Sequence, residues 1–375
     1  MFLEKLALFN FRNFEREEAR FTALATVILG GNGQGKTNLI EAVYFLSALR
    51  SFRTAKINYL KKIGENEASV SGTIRSVGNV REELEVYWFG EKRGQKYLGK
   101  DTSPSEYISK LTAISFTPED LQIISGLPER RRKLLDKTVF SIYPAYIDVL
   151  KNYQRLLRQR NQTLKHSYNE RPNIALLESW DEELSKYAAE IFIKRTEIIK
   201  LLSQKVKEHY ENISGGEGEV LISYESQAIV NSVCANDMNK VRETYYNLWQ
   251  RSIEKDIRRG GTSKGPHTEE IVFHLKGKRA RETASQGQKR SLVVSLKIGE
   301  IELIQERRGN SPILLLDDVM SELDKNRREK LFEYLSKHKG QVIATTTDLV
   351  GLNISELNES EIFRIEEGKL IKSSS

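Results

Sequence analysis

The sequence predicts an α/β fold in which a mainly helical arm is inserted into an α/β head. Three observations carry this reading. GGNGQGKT, residues 30 to 37, fits G-x-x-x-x-G-K-[ST] and lies between a strand-like and a helix-like stretch. A short apolar segment ending in paired aspartates, PILLLDD, stands near the other end of the chain. Between them, from about Pro128, the apolar residues fall into helical spacing.

The elements follow in order. LEKLALFNF and ALATVILG read as strands, the second ending directly on glycines, and KTNLIEAVYFLSALR reads as the helix that follows. Residues 67 to 99 read as a meander of EASVSGTIR, REELEVYWF and QKYL, separated by the turn-prone SVGNV and GEKRG. PERRRKLLDKTVF, PAYIDVLKNYQRLLRQRNQTLKH and ALLESWDEELSKYAAEIFIKRTEIIKLLSQKVKEHY are then helical. In the last, Leu177, Trp180, Leu184, Tyr187, Ile191 and Ile198 form one stripe on a helix roughly 50 Å long, at ~1.5 Å per residue.

GGTSKGP at 260 to 266 reads as a hinge back into strand-like IVFHLKG, a polar-capped helix, the PILLLDD strand, another helix and the strand QVIATTTD. The second α/β half is expected to rejoin the first in one sheet. That gives a head of residues 1–125 plus 262–375 and an arm of 126–261.

Composition bounds the function loosely. A chain of 375 residues holds one large domain or two moderate ones, and a net charge of +7 with 30% charged residues permits an anionic partner without demanding one. The single Cys234 cannot form an internal disulfide, and neither a signal-like N-terminus nor a run of eighteen apolar residues appears. The expectation is a cytoplasmic protein with no membrane segment of its own.

In the phosphate loop, the glycines let backbone N–H groups face phosphates, Lys36 reaches the β and γ oxygens, and the Thr37 hydroxyl binds Mg²⁺. PILLLDDVMSELD supplies carboxylates: the strand delivers Asp317 to the metal side, and Asp318 beside it is placed to polarise a water. In ASQGQKRSLVVSL, Ser285 suits an N-cap and Gly287 allows close backbone approach. The helix from about Gln288 therefore presents N–H groups and partial positive charge to an anion, or is simply a capped helix.

Taken together, the phosphate loop, SQGQKR, the Asp-Asp strand end followed by SELD, and NFRNF at 10 to 14 resemble the ABC-type ATPase heads of the SMC class. Within that class the chain is similar to the RecF family of bacterial recombination mediators. The likeness extends through SFRT at 51 to 54, FTPEDLQIISGLPERRRKLLD at 116 to 136, YQRLLRQRN at 153 to 161, GPHTEE at 265 to 270 and ASQGQKRSLVVSLKIGE, and so covers nearly the whole chain.

The resemblance implies an ABC-type, SMC-like P-loop ATPase head with a helical arm, working with ATP and Mg²⁺. It implies that Ser285, Gly287 and Gln288 lie on a surface that caps the γ-phosphate on another copy's phosphate loop, so that two ATP molecules are sandwiched in a homodimer. Gly30, Gly31, Asn32, Gly33, Gln34, Gly35, Lys36 and Thr37 hold the nucleotide, with Arg12, Asp324 and Thr347 around it. Asp317 is the metal-side carboxylate and Asp318 the water activator.

Departures accompany the likeness. Most ABC heads carry Glu at Asp318 and His at Thr347, which suggests slow hydrolysis that times release. The family's usual GPHRDD reads GPHTEE, so His267 and Glu269 are expected in a structured loop, and Gln122 is only a positional choice for the glutamine that other heads use at Mg²⁺.

Arg130, Arg131, Arg132 and Lys133, then Arg155, Arg158 and Arg160, then Arg258, Arg259 and Lys264, form three basic clusters on or beside the helical segment. Each reads either as a solvated helix face or as a set of phosphate contacts to duplex DNA; aromatic interleaving is sparse, so base stacking is not indicated. The resemblance implies ATP-dependent binding to double-stranded DNA near single-strand/double-strand junctions, a RecR partner, and delivery of RecA to gaps. A structural SMC-like head, the nucleotide-binding subunit of an ABC transporter, and a P-loop small-molecule kinase stand as alternatives.

Overall fold

The structure, a computed structural model, describes residues 1–54, 56–76, 78–169, 173–216, 218–226, 237–348 and 360–372; Cys234 lies outside them. In chain order it begins with β1 (Phe2–Phe11), β2 (Phe14–Arg20), β3 (Ala25–Leu29), α1 (Lys36–Ala48), β4 (Glu67–Arg75), β5 (Arg81–Phe89), β6 (Lys92–Tyr97), β7 (Lys100–Asp101), α2 (Pro104–Ile108) and β8 (Ala113–Phe116). It continues with α3 (Pro128–Ile142), α4 (Tyr146–Asn169), α5 (Ile174–Ser214), β9 (Val220–Glu225), α6 (Met238–Arg259), β10 (Glu270–Leu275), β11 (Lys278–Arg279) and α7 (Ala280–Thr283). The last stretch carries α8 (Gln286–Arg308), β12 (Ile313–Asp317), α9 (Lys325–Lys337), β13 (Val342–Thr346), β14 (Ser360–Glu366) and β15 (Lys369–Lys372).

The chain divides into two compact units. One comprises Met1–Gln122, Ile213–Gly215 and Arg290–Ser375, the other Ile123–Asn212 and Gly216–Lys289. The second unit thus runs to Lys289, beyond the boundary at 261 expected from sequence.

The first unit contains two six-stranded sheets, β2-β1-β4-β5-β6-β7 and β15-β14-β3-β13-β12-β8. The latter is parallel from β14 to β8, and β12 and β13 are buried along their whole length, which is why PILLLD is a continuous apolar run. In the antiparallel sheet, β4 alternates buried with half-exposed residues, as a sheet covered on one face requires. Helix α1 packs on strands of both sheets, and every residue from Leu39 to Ala48 is buried, so NLIEAVYFLSA is apolar almost all round. Its Phe45 stacks on Trp88 at 5.1 Å between ring centres. Fully buried Gln341 accepts from the Leu3 N–H at 2.8 Å and donates to the Leu3 carbonyl at 3.1 Å, tying β1 to the lead-in of β13.

In the second unit, helices α3 to α6 accompany a three-stranded sheet, β11-β10-β9. IVFHLKG, expected to rejoin the main sheet, is β10 of this smaller sheet. It pairs antiparallel with β9 and, across a Lys276-Gly277 turn with φ of 52° and 74°, with β11. Two positive φ values suit a tight hairpin, which keeps the segment local. Helix α5 has 41 residues, about 60 Å at ~1.5 Å per residue, longer than the expected roughly 50 Å because it continues to Ser214. Along its stripe Leu177, Leu184, Ile191 and Ile198 are fully buried, while Trp180 and Tyr187 are half-buried.

Arg160 is a correction to the sequence reading. It is fully buried, pairs with Asp181 and with Asp256 at 2.8 Å, and donates to Thr262 Oγ1 at 2.8 Å, so it cannot face DNA. Removing it would strand two buried carboxylates. Arg160→Ala is therefore expected to destabilise the protein by about 3–5 kcal/mol, measured as a lowered urea midpoint; a change within about 0.5 kcal/mol would contradict the pin.

Candidate active site

Strand β3 ends at Leu29, and the chain turns through Gly30 to Gly35 before α1 opens at Lys36. Two of these glycines are required by the backbone. A Cβ on Gly30 would lie 2.6 Å from the Ile365 side chain, and Gly35, at φ 114°, caps α1 with Asn13 Nδ2 only 2.7 Å from where its Cβ would stand. Gln34 holds the loop from outside, its side chain accepting from the Glu367 N–H at 2.6 Å and its carbonyl from Asn13 Nδ2 at 3.2 Å. Asn32 and Gly33 are exposed, with open space around Gly33.

Lys36 is 7% exposed and donates to the carbonyls of Gly30 at 2.6 Å and Gly31 at 3.0 Å. Phosphate oxygens offer that ammonium stronger, charged acceptors. Thr37 Oγ1 donates to Asp317 Oδ1 at 3.0 Å, and Thr345 Oγ1 donates to the same oxygen at 2.9 Å. Burial raises the Asp317 pKa above the usual carboxylate range, opposed by the Thr345 and Thr37 hydrogen bonds and reinforced by the Glu119 and Asp318 charges. A divalent cation reverses that balance. Hydroxyl and carboxylate oxygens fit Mg²⁺, which takes few protein ligands and completes its shell with phosphate and water.

Asp318 follows in the left-handed region, φ 51°, its N–H donating to Thr345 Oγ1 at 3.1 Å. Asp tolerates that conformation better than longer residues, a local reason for Asp where most ABC heads have Glu. Asp324 is the N-cap of α9, accepting from the Arg327 N–H at 3.0 Å, and it pairs with the Arg327 guanidinium, whose Nε reaches Ser291 Oγ at 2.9 Å. Thr347 is exposed at the end of β13 and lines, with Gly30, Gly31 and Gln34, a cleft of about 820 Å³. Gln122 is exposed at the end of a short turn of which Glu119 is the carboxylate that influences Asp317.

Helix α8 begins at Gln286 rather than about Gln288. Ser285 Oγ accepts from the Gln288 N–H at 3.2 Å while Gln288 Oε1 accepts from the Ser285 N–H at 2.9 Å, a reciprocal capping box that fixes the helix start. Ser285 itself is exposed, and Gly287 lies in the first turn.

Arg12 is drawn to a residue that the sequence reading missed. Its Nε and Nη2 grip Glu41 at 2.8 Å each and its Nη1 donates to the Tyr59 carbonyl at 2.8 Å. The signal was a lone carboxylate inside apolar NLIEAVYFL. Thr345, Asn13 and Asn38 were also missed: Asn13 stands within the NFRNF stretch, and nothing local marks the other two.

GPHTEE forms a buried hub in the second unit. Glu269 accepts from Tyr245 at 2.7 Å, Ser226 at 2.6 Å and the Tyr224 hydroxyl. His267 Nε2 lies 3.2 Å from the Thr262 carbonyl, which only accepts, so Nε2 carries the proton and Nδ1 accepts from Tyr153 at 2.7 Å. Burial, with nearby arginine charges, pushes His267 down to about 4 against a hydrogen bond to Thr262, so it stays neutral.

The basic clusters separate by burial. Arg131, like Arg160, is a correction: it is 4% exposed, pairs with Glu270 at 2.8 Å and donates to the carbonyls of Ile123, Ile124 and Gly126. Arg132 is half-buried on the Glu269 carbonyl at 2.9 Å, and Lys264 is half-buried. Arg130, Lys133, Arg155, Arg158, Arg258 and Arg259 are exposed. On α4 the exposed Lys151, Arg155, Arg158, Gln162 and Lys165 share one face, and a Cβ on Gly260 would lie 3.5 Å from Lys165, which carries that face towards Arg258 and Arg259.

Residues 2–365 match the family model of the RecF/RecN/SMC N terminal domain. The "DNA replication and repair protein RecF" of Halalkalibacterium halodurans is 36% identical over 373 residues, 99% of this chain and 100% of that one. A solved structure of "the recombination mediator protein RecF-ATP in RecFOR pathway" superposes with a TM-score of 0.90 at 33% identity, covering 100% of this chain and 98% of that one. An Smc head bound to the C-winged helix domain of ScpA, at a TM-score of 0.54 and 15% identity over 100% of this chain and 98% of that one, shares the fold alone.

Proposed function

Because the chain belongs to the RecF family within the SMC N-terminal domain ATPases, we propose that it is an ATP-dependent DNA-binding protein of DNA replication and repair. In this reading it binds ATP with Mg²⁺, closes as an ATP-sandwiched homodimer on duplex DNA near single-strand/double-strand junctions, and opens on slow hydrolysis. The observation that carries it is the Thr37–Asp317 hydrogen bond, which joins residues 280 apart in sequence on the metal side of the phosphate loop.

Each residue has a role under this reading. Lys36 binds the β and γ oxygens, and the loop N–H groups cradle the phosphates. Thr37 and Asp317 would hold Mg²⁺, which when bound would supply neutralisation of phosphate charge. Asp318 accepts a proton from the attacking water. Ser285 and the α8 N-terminus meet the γ-phosphate on the other copy. The units serve as an ATPase head and a helical arm in a cytoplasmic protein, with RecR and delivery of recombinase to gaps as the onward steps. Among the described residues no helix is long and apolar enough to cross a membrane.

The exposed α4 face and the end of α6 supply phosphate contacts. Because each neutralised phosphate contributes ~0.9 to the log–log salt slope of duplex binding, Arg155→Gln/Arg158→Gln is expected to lower that slope by about 2. Anisotropy of a labelled tailed duplex with ATP across a salt series measures it. An unchanged slope would remove this face from the interface.

A further inference from the structure

The antiparallel sheet β2-β1-β4-β5-β6-β7 buries Leu6 and Leu8 of β1, Ala68 and Val70 of β4, and Val86 and Trp88 of β5 on its inner face. Its outer face carries the alternate residues. Side chains directly opposite one another share a face, and the register sets Arg16, Phe9, Ser69, Tyr87 and Gly94 in one row across the outer side of β2, β1, β4, β5 and β6. Phe89, two residues beyond Tyr87, projects from the same face, with Glu67 opposite it on β4 and Lys92 opposite it on β6.

The open face of such a sheet is expected to be polar. Here Phe9 is 38% exposed and Phe89 67%. Each stands directly opposite a cation, Phe9 opposite Arg16 and Phe89 opposite Lys92, and both cations are exposed with no ion pair among the described residues. Tyr87 has a cation as well: Lys96 Nζ lies 4.7 Å from its ring centre, while its hydroxyl donates to Asp101 at 3.1 Å. Gly94 makes room for that ring, because a Cβ there would overlap it.

The spacing says what fits. With strands ~4.8 Å apart and ~3.4 Å per residue, Phe9 is roughly 10 Å from Tyr87 across the sheet, and Phe89 is roughly 7 Å from it along β5. Both exceed the ~3.4 Å between stacked duplex nucleotides, so the bases such rings receive are unstacked ones. Aromatic rings on an antiparallel sheet stack the bases of single strands, and cations beside them meet the backbone between. A duplex keeps its bases inside and leaves the rings unused; an apolar protein partner would use the rings but gives no reason for a cation at each.

We propose that this face binds single-stranded nucleic acid, with bases on Phe9, Tyr87 and Phe89 and phosphates at Arg16, Lys96 and Lys92. It rests on the DNA-binding reading and deepens it, giving the unpaired strand of a junction a surface of its own. Glu67 repels phosphate, so the strand passes Phe89 on the Lys92 side.

The test is fluorescence anisotropy of a labelled dT oligomer of about 12 nucleotides, within the range of one stacking site, and of a labelled blunt duplex, with wild type and Phe89→Ala in ATP and Mg²⁺. Loss of one stacked base lowers affinity roughly 5- to 150-fold. Phe89→Ala is expected to weaken dT by that factor and to leave the duplex within about twofold, while Phe89→Trp keeps the wild-type dT affinity. Arg16→Gln/Lys92→Gln should lower the log–log salt slope for dT by about 1.4, at ~0.7 per phosphate. Wild-type dT affinity in Phe89→Ala overturns the proposal and leaves the rings to a protein partner. Equal losses for dT and duplex overturn it too, as does a wild type that binds duplex but not dT. A wild type that binds neither contradicts the DNA reading beneath it. Phe89 is on the surface, so its variant keeps the fold and decides the matter.

Discussion

Lys36→Ala loses ATP binding by at least about 100-fold and keeps its fold. The ammonium makes two hydrogen bonds in the free protein, both to carbonyls of its own loop, and Gly31 is exposed so that water replaces them when it is removed. In the bound state proposed for it the same group would meet two charged phosphates, each contact contributing ~1.5–3 kcal/mol, and together they correspond to a factor of roughly 100 or more. Calorimetric titration measures the loss, and a melting temperature within a few degrees of wild type shows that the fold remains. Retention of wild-type affinity would mean that GGNGQGKT is only a turn.

Asp318→Asn separates binding from hydrolysis. Asn adopts the left-handed backbone as readily as Asp, and the Asp318 N–H bonds to Thr345 do not involve its carboxylate, so the strand end is left in place. What would be lost, on the proposed function, is the proton acceptor. Turnover should fall about 10²- to 10⁴-fold with ATP affinity unchanged. A variant as active as wild type would move the water-activating role elsewhere, and a wild-type turnover above ~100 per second would contradict hydrolysis as a slow timer.

The features legible in the sequence were those written contiguously. The phosphate loop is one uninterrupted motif, PILLLDD is a strand buried on both faces, and the serine and glutamine of SQGQ are three residues apart, the spacing of a capping box. What stayed hidden depends on distant partners. Glu41 gathers residues from positions 12, 51 and 53, and Asp317 gains Thr345 across a strand ladder; no local periodicity reports such pairs. IVFHLKG was readable as a strand, but the pattern that makes a strand does not name its neighbour.

The basic clusters hold a different lesson. Tyr153, Leu156, Arg160 and Leu164 are all buried, and their spacing places Arg160 on the apolar face of α4, while Arg155 and Arg158 fall on the exposed one. Arg131 shares its face with the buried Leu134, Leu135 and Thr138 in the same way. Counting charges in a run hides this; helical phase, available from sequence, separates the structural arginines from those free to meet phosphate.

The measurement that bears most directly on the account is the light-scattering mass of Asp318→Asn protein with Mg²⁺, with and without ATP. A shift from monomer to dimer only with ATP, abolished by adding Ser285→Arg, is the predicted result, because Ser285 is exposed at a fixed helix start and would complete the other copy's site. A monomer at saturating ATP, or a dimer indifferent to Ser285→Arg, would leave SQGQ as nothing more than a helix cap and contradict the sandwich.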